Sequence, residues 1–233
     1  MNIKSTFLIL FFSFILGEFS VSQIAGEPYR TRITGKPVYN KSTGEIIDNE
    51  ELSKMFKLNP HIALEWVINK YGEIESFIYD PNKKDNIMRI DTTKRQKAGE
   101  QFLPFVMKSV NNRIIDSEKL VDRIVLIQFY HYFRDPFFNL RHFNEFDTLI
   151  EDLDGKSDII FITVTKSTSE EINQRIDITN YKSDIIPDGR YFFWRYLINE
   201  FRAFVLIDKS GRLVSYYNSH EIPKLKADLI KMY

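Results

Sequence analysis

The sequence predicts an α/β protein, in which a strand–helix–strand crossover and a closing hairpin build the larger C-terminal part and a smaller α+β region precedes it. Three observations predict this. Residues 124–130 (IVLIQFY) and 159–164 (IIFITV) are continuous apolar runs, the pattern of strands covered on both faces. Between them Phe143, Phe146, Ile150 and Leu153 recur at spacings of three and four, with Gly155 just beyond, as an amphipathic helix and its stop require. Residues 203–207 and 213–217 flank Asp208-Lys209-Ser210-Gly211, whose residue types suit a tight hairpin turn. A strand, a helix and a second strand of this kind form a parallel crossover unit.

Taken from the N-terminus, residues 1–22 carry a targeting pattern. Lys4 supplies a positive charge, residues 7–16 are apolar apart from Ser13, and Gly17, Ser20 and Ser22 are small. This reads as a secretory signal cleaved near Ser22, with retention as an anchor the alternative. The apolar run is far short of the ~20 residues that cross a bilayer, so no membrane span is expected after cleavage. The expected location is periplasmic or secreted. The chain has no cysteine, which excludes both a lipid anchor attached through cysteine and stabilisation by disulfides. Lysine plus arginine and aspartate plus glutamate each number 32, so no net field draws in nucleic acid.

Residues 23–100 read as the N-terminal α+β region and a charged linker. Pro28, Gly35 and Pro37 punctuate its start. Asp48 or Asn49 can cap a helix over 50–58, with Leu52, Met55 and Phe56 on one face and Asn59-Pro60 as its stop. Ile62, Leu64, Trp66 and Ile68 then alternate, Tyr71-Gly72 marks a turn, and residues 74–79 resume a strand before Asp80-Pro81. Residues 83–100 are highly charged, with Lys94, Arg95 and Lys97 close together, and read as a solvated surface segment. In residues 101–233 the crossover and hairpin are joined by a helix over 191–198. Pro223 opens a last helix in which Leu225 and Leu229 lie four apart.

Three segments resemble one family. Pro104-Phe105, with Asn111-Asn112-Arg113 and Leu120, is similar to its opening strand, turn and approach to the first central strand. Residues 125–130 (VLIQFY) are similar to its V-L-V-N-F-W strand. Residues 204–214 (FVLIDKSGRLV) are similar to its T-F-L-I-D-x-x-G-x-I-V hairpin. The family is the TlpA- and ResA-like (AhpC/TSA-type) branch of the thioredoxin superfamily, bacterial envelope proteins that reduce disulfides. The resemblance spans residues 104–233 and implies a thioredoxin-like three-layer fold, a central mixed sheet flanked by helices.

The family's catalytic motif does not survive. Its W-C-x-x-C falls on Phe133-Arg134-Asp135-Pro136-Phe137, so Arg134 and Phe137 stand at the cysteine positions, and its cis-proline falls at Arg202. Thiol–disulfide exchange is therefore not expected, nor any other catalytic residue, cofactor or metal. Asp135-Pro136 has the chemistry of a helix start, aspartate as N-cap and proline at N1. An arginine at the former thiolate position meets the like-signed end of the helix dipole and should turn outward or pair with an acid. At Arg202 a trans peptide bond is expected, because a non-proline cis bond costs ~3 kcal/mol.

The remaining chemistry is sparse. His131 ends the first central strand and His142 lies on the following helix, but no third ligand stands at metal spacing. The acidic turn 151–158 lacks the alternation of a calcium loop. Aromatic residues crowd both altered loops. The leading expectation is a non-catalytic protein- or peptide-binding module that uses Phe133, Arg134, Asp135, Phe137 and Arg202 as its contact surface. The alternatives are an enzyme of unrecognised type built on His131, His142 and nearby acids, and a purely structural envelope component.

Overall fold

A computed structural model describes residues 35–83, 89–151 and 158–232. The signal segment, Leu153, Gly155 and most of the acidic turn lie outside these residues. Among the described residues no helix is long and apolar enough to cross a membrane.

The first sheet has four strands, β1 (Val38–Asn40), β2 (Ile46–Ile47), β3 (Glu65–Ile68) and β4 (Ile74–Tyr79), in the order β2-β1-β4-β3. Helix α1 (Asn49–Leu58) starts as its sequence implies: the Asp48 carboxylate accepts from the backbone N–H groups of Glu50 and Glu51, both at 2.8 Å. The β3–β4 turn needs Gly72. Its φ is +71°, and a Cβ there would sit 2.7 Å from the Phe192 ring.

Residues 91–101 lie at the surface, as their charge suggests, but they are fastened to the domain and do not form a free linker. Asp91 caps a short 3-10 turn, Thr92–Lys94, and Arg95 is then held in place. Its Nε donates to the Leu197 carbonyl at 2.9 Å, its Nη2 pairs with Glu200 at 2.5 Å, and its guanidinium lies over the Tyr216 ring. Gly99 and Glu100 exchange backbone hydrogen bonds with Leu213. Charge density alone could not distinguish a solvated loop from one whose cation finds a free helix-end carbonyl and an acid.

A two-stranded ribbon, β5 (Val106–Lys108) and β6 (Ile114–Asp116), leads into the central sheet. The elements then follow as β7 (Ile124–Tyr130), α2 (Leu140–Glu151), β8 (Ile159–Thr165), α3 (Ser169–Asn173), β9 (Asp184–Ile186), α4 (Arg190–Arg195), β10 (Arg202–Ile207), β11 (Leu213–Asn218) and α5 (Ile222–Lys231). The sheet order is β11-β10-β7-β8-β9. Strands β7, β8 and β9 are parallel, and β10 is antiparallel to both β7 and β11. A crossover whose first strand is flanked by its own second strand and by a C-terminal hairpin is the thioredoxin-like arrangement, so the fold is established from topology.

Strand β7 shows why its run is apolar throughout. Ile124 and Leu126 face Phe146, Leu149, Ile150, Leu225 and Leu229 of α2 and α5. Val125, Ile127 and Phe129 face Phe102, Phe105, Phe193 and Tyr196 on the other side. Each such side chain contributes about 1.5–3 kcal/mol by leaving water. The helix expected over 191–198 is shorter, because Leu197 adopts a left-handed φ of 56° and the Ile198 N–H closes onto the Phe193 carbonyl at 2.7 Å.

Candidate functional site

The register of the sheet brings the altered loops together. Arg202 at the start of β10 pairs with Tyr130 at the end of β7, and Tyr130 pairs with Thr165 at the end of β8. The segments that follow β7 and β8 and the one that precedes β10 therefore meet at one edge of the sheet.

Residues 134–138 close a turn there, with the N–H groups of Phe137 and Phe138 both donating to the Arg134 carbonyl at 2.9 Å. The Asp135–Pro136 peptide bond is cis. The helix expected to start at Asp135-Pro136 starts later, at Leu140. The Asp135 carboxylate caps nothing, because it is engaged by Arg175 at 2.6 Å, and α2 begins only at Leu140. The cap is Asn139. Its side chain accepts from the His142 N–H at 3.2 Å, and its own N–H donates to the Tyr130 hydroxyl at 2.9 Å.

Two residues expected on the contact surface belong to the interior. Phe133 is 0% exposed and packs against Tyr130, Phe138 and Phe143, with ring centroids 5.0–5.4 Å apart. Its N–H donates to the buried Ser167 hydroxyl at 2.9 Å. An apolar ring between two packed strands and a helix has no reason to face water. Arg202 is 7% exposed. Its Nη1 donates to the His142 carbonyl at 2.6 Å and its Nη2 to Glu145 at 2.8 Å, with the guanidinium beside the Phe204 ring. The peptide bond before it is trans. The arginine thus ties β10 to the first turn of α2, and the small part of it left accessible lines the cleft that His142 also borders.

The other expected residues are accessible. The Arg134 side chain is 48% exposed, lies over the Tyr132 ring and pairs with Glu171 at 3.5 Å. Phe137 is half-buried, 5.5 Å from Tyr132 and 6.1 Å from Phe201 between ring centroids. Phe201, just before β10, is 43% exposed. Sequence reasoning missed it. Its place immediately ahead of a strand that begins at this edge was the available signal.

The two histidines do not form one site. His131 is packed among Phe193, Phe201 and Tyr132, with its Nε2 3.4 Å from Lys166 Nζ. Burial, and then the Lys166 charge, lower its pKa to about 3, against the opposing pull of the Glu200 backbone and carboxylate. His142 instead lines a cleft of about 610 Å³ with Tyr130, Glu145, Glu200, Phe201 and His220, of which His131 is no part. Among the described residues no three His, Asp or Glu side chains are grouped to hold a metal ion.

No protein-family model matches the sequence, and no curated protein is similar to it. Solved structures are similar at low identity. A Bacteroides thetaiotaomicron protein assigned as a disulfide isomerase aligns over 58% of this chain and 89% of its own, with 20% identity and a TM-score of 0.47. A thiol-disulfide oxidoreductase from Bacteroides fragilis aligns over 57% and 99%, with 14% identity and a TM-score of 0.47. A mitochondrial 2-Cys peroxiredoxin from Plasmodium falciparum aligns over 57% and 94%, with 15% identity and a TM-score of 0.45. Unlike the chemistry those names imply, thiol–disulfide exchange is impossible for a chain without cysteine.

Proposed function

We propose that this chain is a non-catalytic thioredoxin-like binding module of the bacterial cell envelope, which holds a protein or peptide segment against the face formed by Tyr132, Phe137 and Phe201 with Arg134 at its rim. The observation that carries this reading is the contact between Phe137 and Phe201. Two separate loops each contribute an aromatic ring to one accessible patch, and Phe201 also packs against the buried Tyr130. Accessible aromatic residues flanked by arginine are the composition that protein interfaces favour. Export is proposed on the basic, apolar and small-residue pattern of residues 1–22.

The experiment is selection from a displayed peptide library by the protein and by a Phe137→Ala, Phe201→Ala double variant whose melting temperature is checked first. The selected peptides should bind the variant at least tenfold more weakly, and Arg134→Glu should further shift the preferred charge. Equal binding by a folded variant rejects this face. N-terminal sequencing of the protein recovered from the envelope fraction tests cleavage near Ser22.

A further inference from the structure

Phe201 ends the connection between α4 and β10, and the residue after it, Arg202, is already fixed in the sheet by its pairing with Tyr130. The residues before it are set in another way. Leu197 takes a left-handed φ of 56°, a conformation that a residue with a Cβ resists. A half-exposed ring on such a connection keeps one position only if the backbone that leads to it is held.

Arg95 supplies that hold, from the segment ahead of the central fold. Its Nε donates to the Leu197 carbonyl at 2.9 Å, and its Nη2 reaches Glu200 Oε2 at 2.5 Å and Asn199 Oδ1 at 3.4 Å. The same Glu200 oxygen accepts from the Asn199 N–H at 3.2 Å. The guanidinium lies 5.1 Å from the centre of the Tyr216 ring, and the Arg95 side chain is only 16% exposed. Arg95 is itself well seated. Asp91 caps the turn before it, and the Gln96 side chain after it donates to the Gln101 carbonyl at 2.7 Å and accepts from the Leu103 N–H at 3.0 Å. A planar fork of donors can span a carbonyl and a carboxylate while it lies on a ring, whereas the single nitrogen of a lysine cannot.

We infer that Arg95 is a positioning residue for the peptide-binding face: by fixing residues 197–200 it holds the Phe201 ring where it meets Phe137, 6.1 Å away. The inference rests on the binding reading above and gives the segment ahead of the central fold a part in it. Without the guanidinium, the Leu197 carbonyl and the Glu200 carboxylate turn to water and the connection samples other conformations. A ligand then has to select the productive one, and affinity falls in proportion to its population.

The test is a double-mutant cycle on the affinity of the folded chain for a peptide selected on the wild-type protein. Arg95→Met should weaken binding roughly tenfold when Phe201 is present, and less than about twofold in Phe201→Ala, where no ring is left to position. Arg95→Lys, the milder change should methionine unfold the chain, should lose roughly threefold with the same dependence on Phe201. A purely structural role would lower the melting temperature and affect binding equally in both backgrounds. Amide exchange in residues 197–201 should quicken about tenfold in the Arg95 variant while that of β10 stays unchanged. Unchanged exchange, unchanged affinity in a folded Arg95 variant, or an equal loss in both backgrounds overturns the inference and leaves the face intact. Unchanged affinity in Phe201→Ala alone, or recovery of no peptide, rejects the face itself and this inference with it.

Discussion

Lowering the pH from 7 to 5 should remove as much as about 2 kcal/mol of stability through His131 alone. The ring lies between Phe193 and Phe201 with the Lys166 amine 3.4 Å away, an environment that resists a second positive charge. Its pKa is about 3 in the folded chain and about 6.5 once unfolded. Between those values the unfolded state binds the proton and the folded state does not. The contribution is therefore intact above pH 6.5 and is lost progressively as pH falls toward 3. At pH 5 the imbalance amounts to about 2 kcal/mol, and it grows by about 1.4 kcal/mol for each further unit. Urea unfolding at pH 7, 6 and 5 measures it, with His131→Gln as the control. Glutamine keeps a donor and an acceptor in place but does not titrate, and every other group cancels in the comparison. The wild type should lose about 2 kcal/mol more than the variant between pH 7 and 5. Parallel pH profiles for the two proteins refute the claim that His131 is held neutral by its surroundings.

Three further outcomes are expected. Gly189→Ala should cost about 1–3 kcal/mol in urea unfolding, because a Cβ would lie 2.4 Å from Val164 Cγ1 and 3.1 Å from the Thr165 carbonyl, a backbone atom that cannot give way. Tyr130→Phe should lower stability by about 1 kcal/mol, since the Asn139 N–H loses its hydroxyl acceptor at the start of α2; an unchanged midpoint would show that water replaces it fully. Glu145→Ala should destabilise more than Arg202→Met, by at least about 1 kcal/mol on thermal or urea denaturation. The first strands a buried guanidinium without its anion, whereas the second removes charge and burial cost together; the reverse order would mean that the ion pair itself carries the stability.

Much of the fold was legible because its signals are local. The Asp48 cap lies two and three residues from the N–H groups it satisfies, and the 208–211 turn is built by Asp208 accepting from the Ser210 and Arg212 N–H groups with Gly211 at φ +77°. The β7 and β8 runs are apolar on both faces because both faces are covered, which is a property that composition records directly. The same locality explains the failures. Asp135-Pro136 has the chemistry of a cap, but its carboxylate is claimed by Arg175, forty residues away in sequence. Arg202 looks like a surface cation until the first turn of α2 supplies a carbonyl and an acid, from His142 and Glu145.

By itself the sequence determined that this protein performs no thiol chemistry, because sulfur nucleophilicity requires a cysteine and no arrangement of the chain can supply one. It also determined a crossover followed by a hairpin, since periodicity and turn chemistry are written in neighbouring residues. Only the tertiary structure decided which residues the altered edge shows to solvent. The β7–β8 register brings His131 to Lys166, and the β7–β10 register brings Phe201 to Phe137. Contacts between strands distant in sequence depend on register, which no single segment encodes.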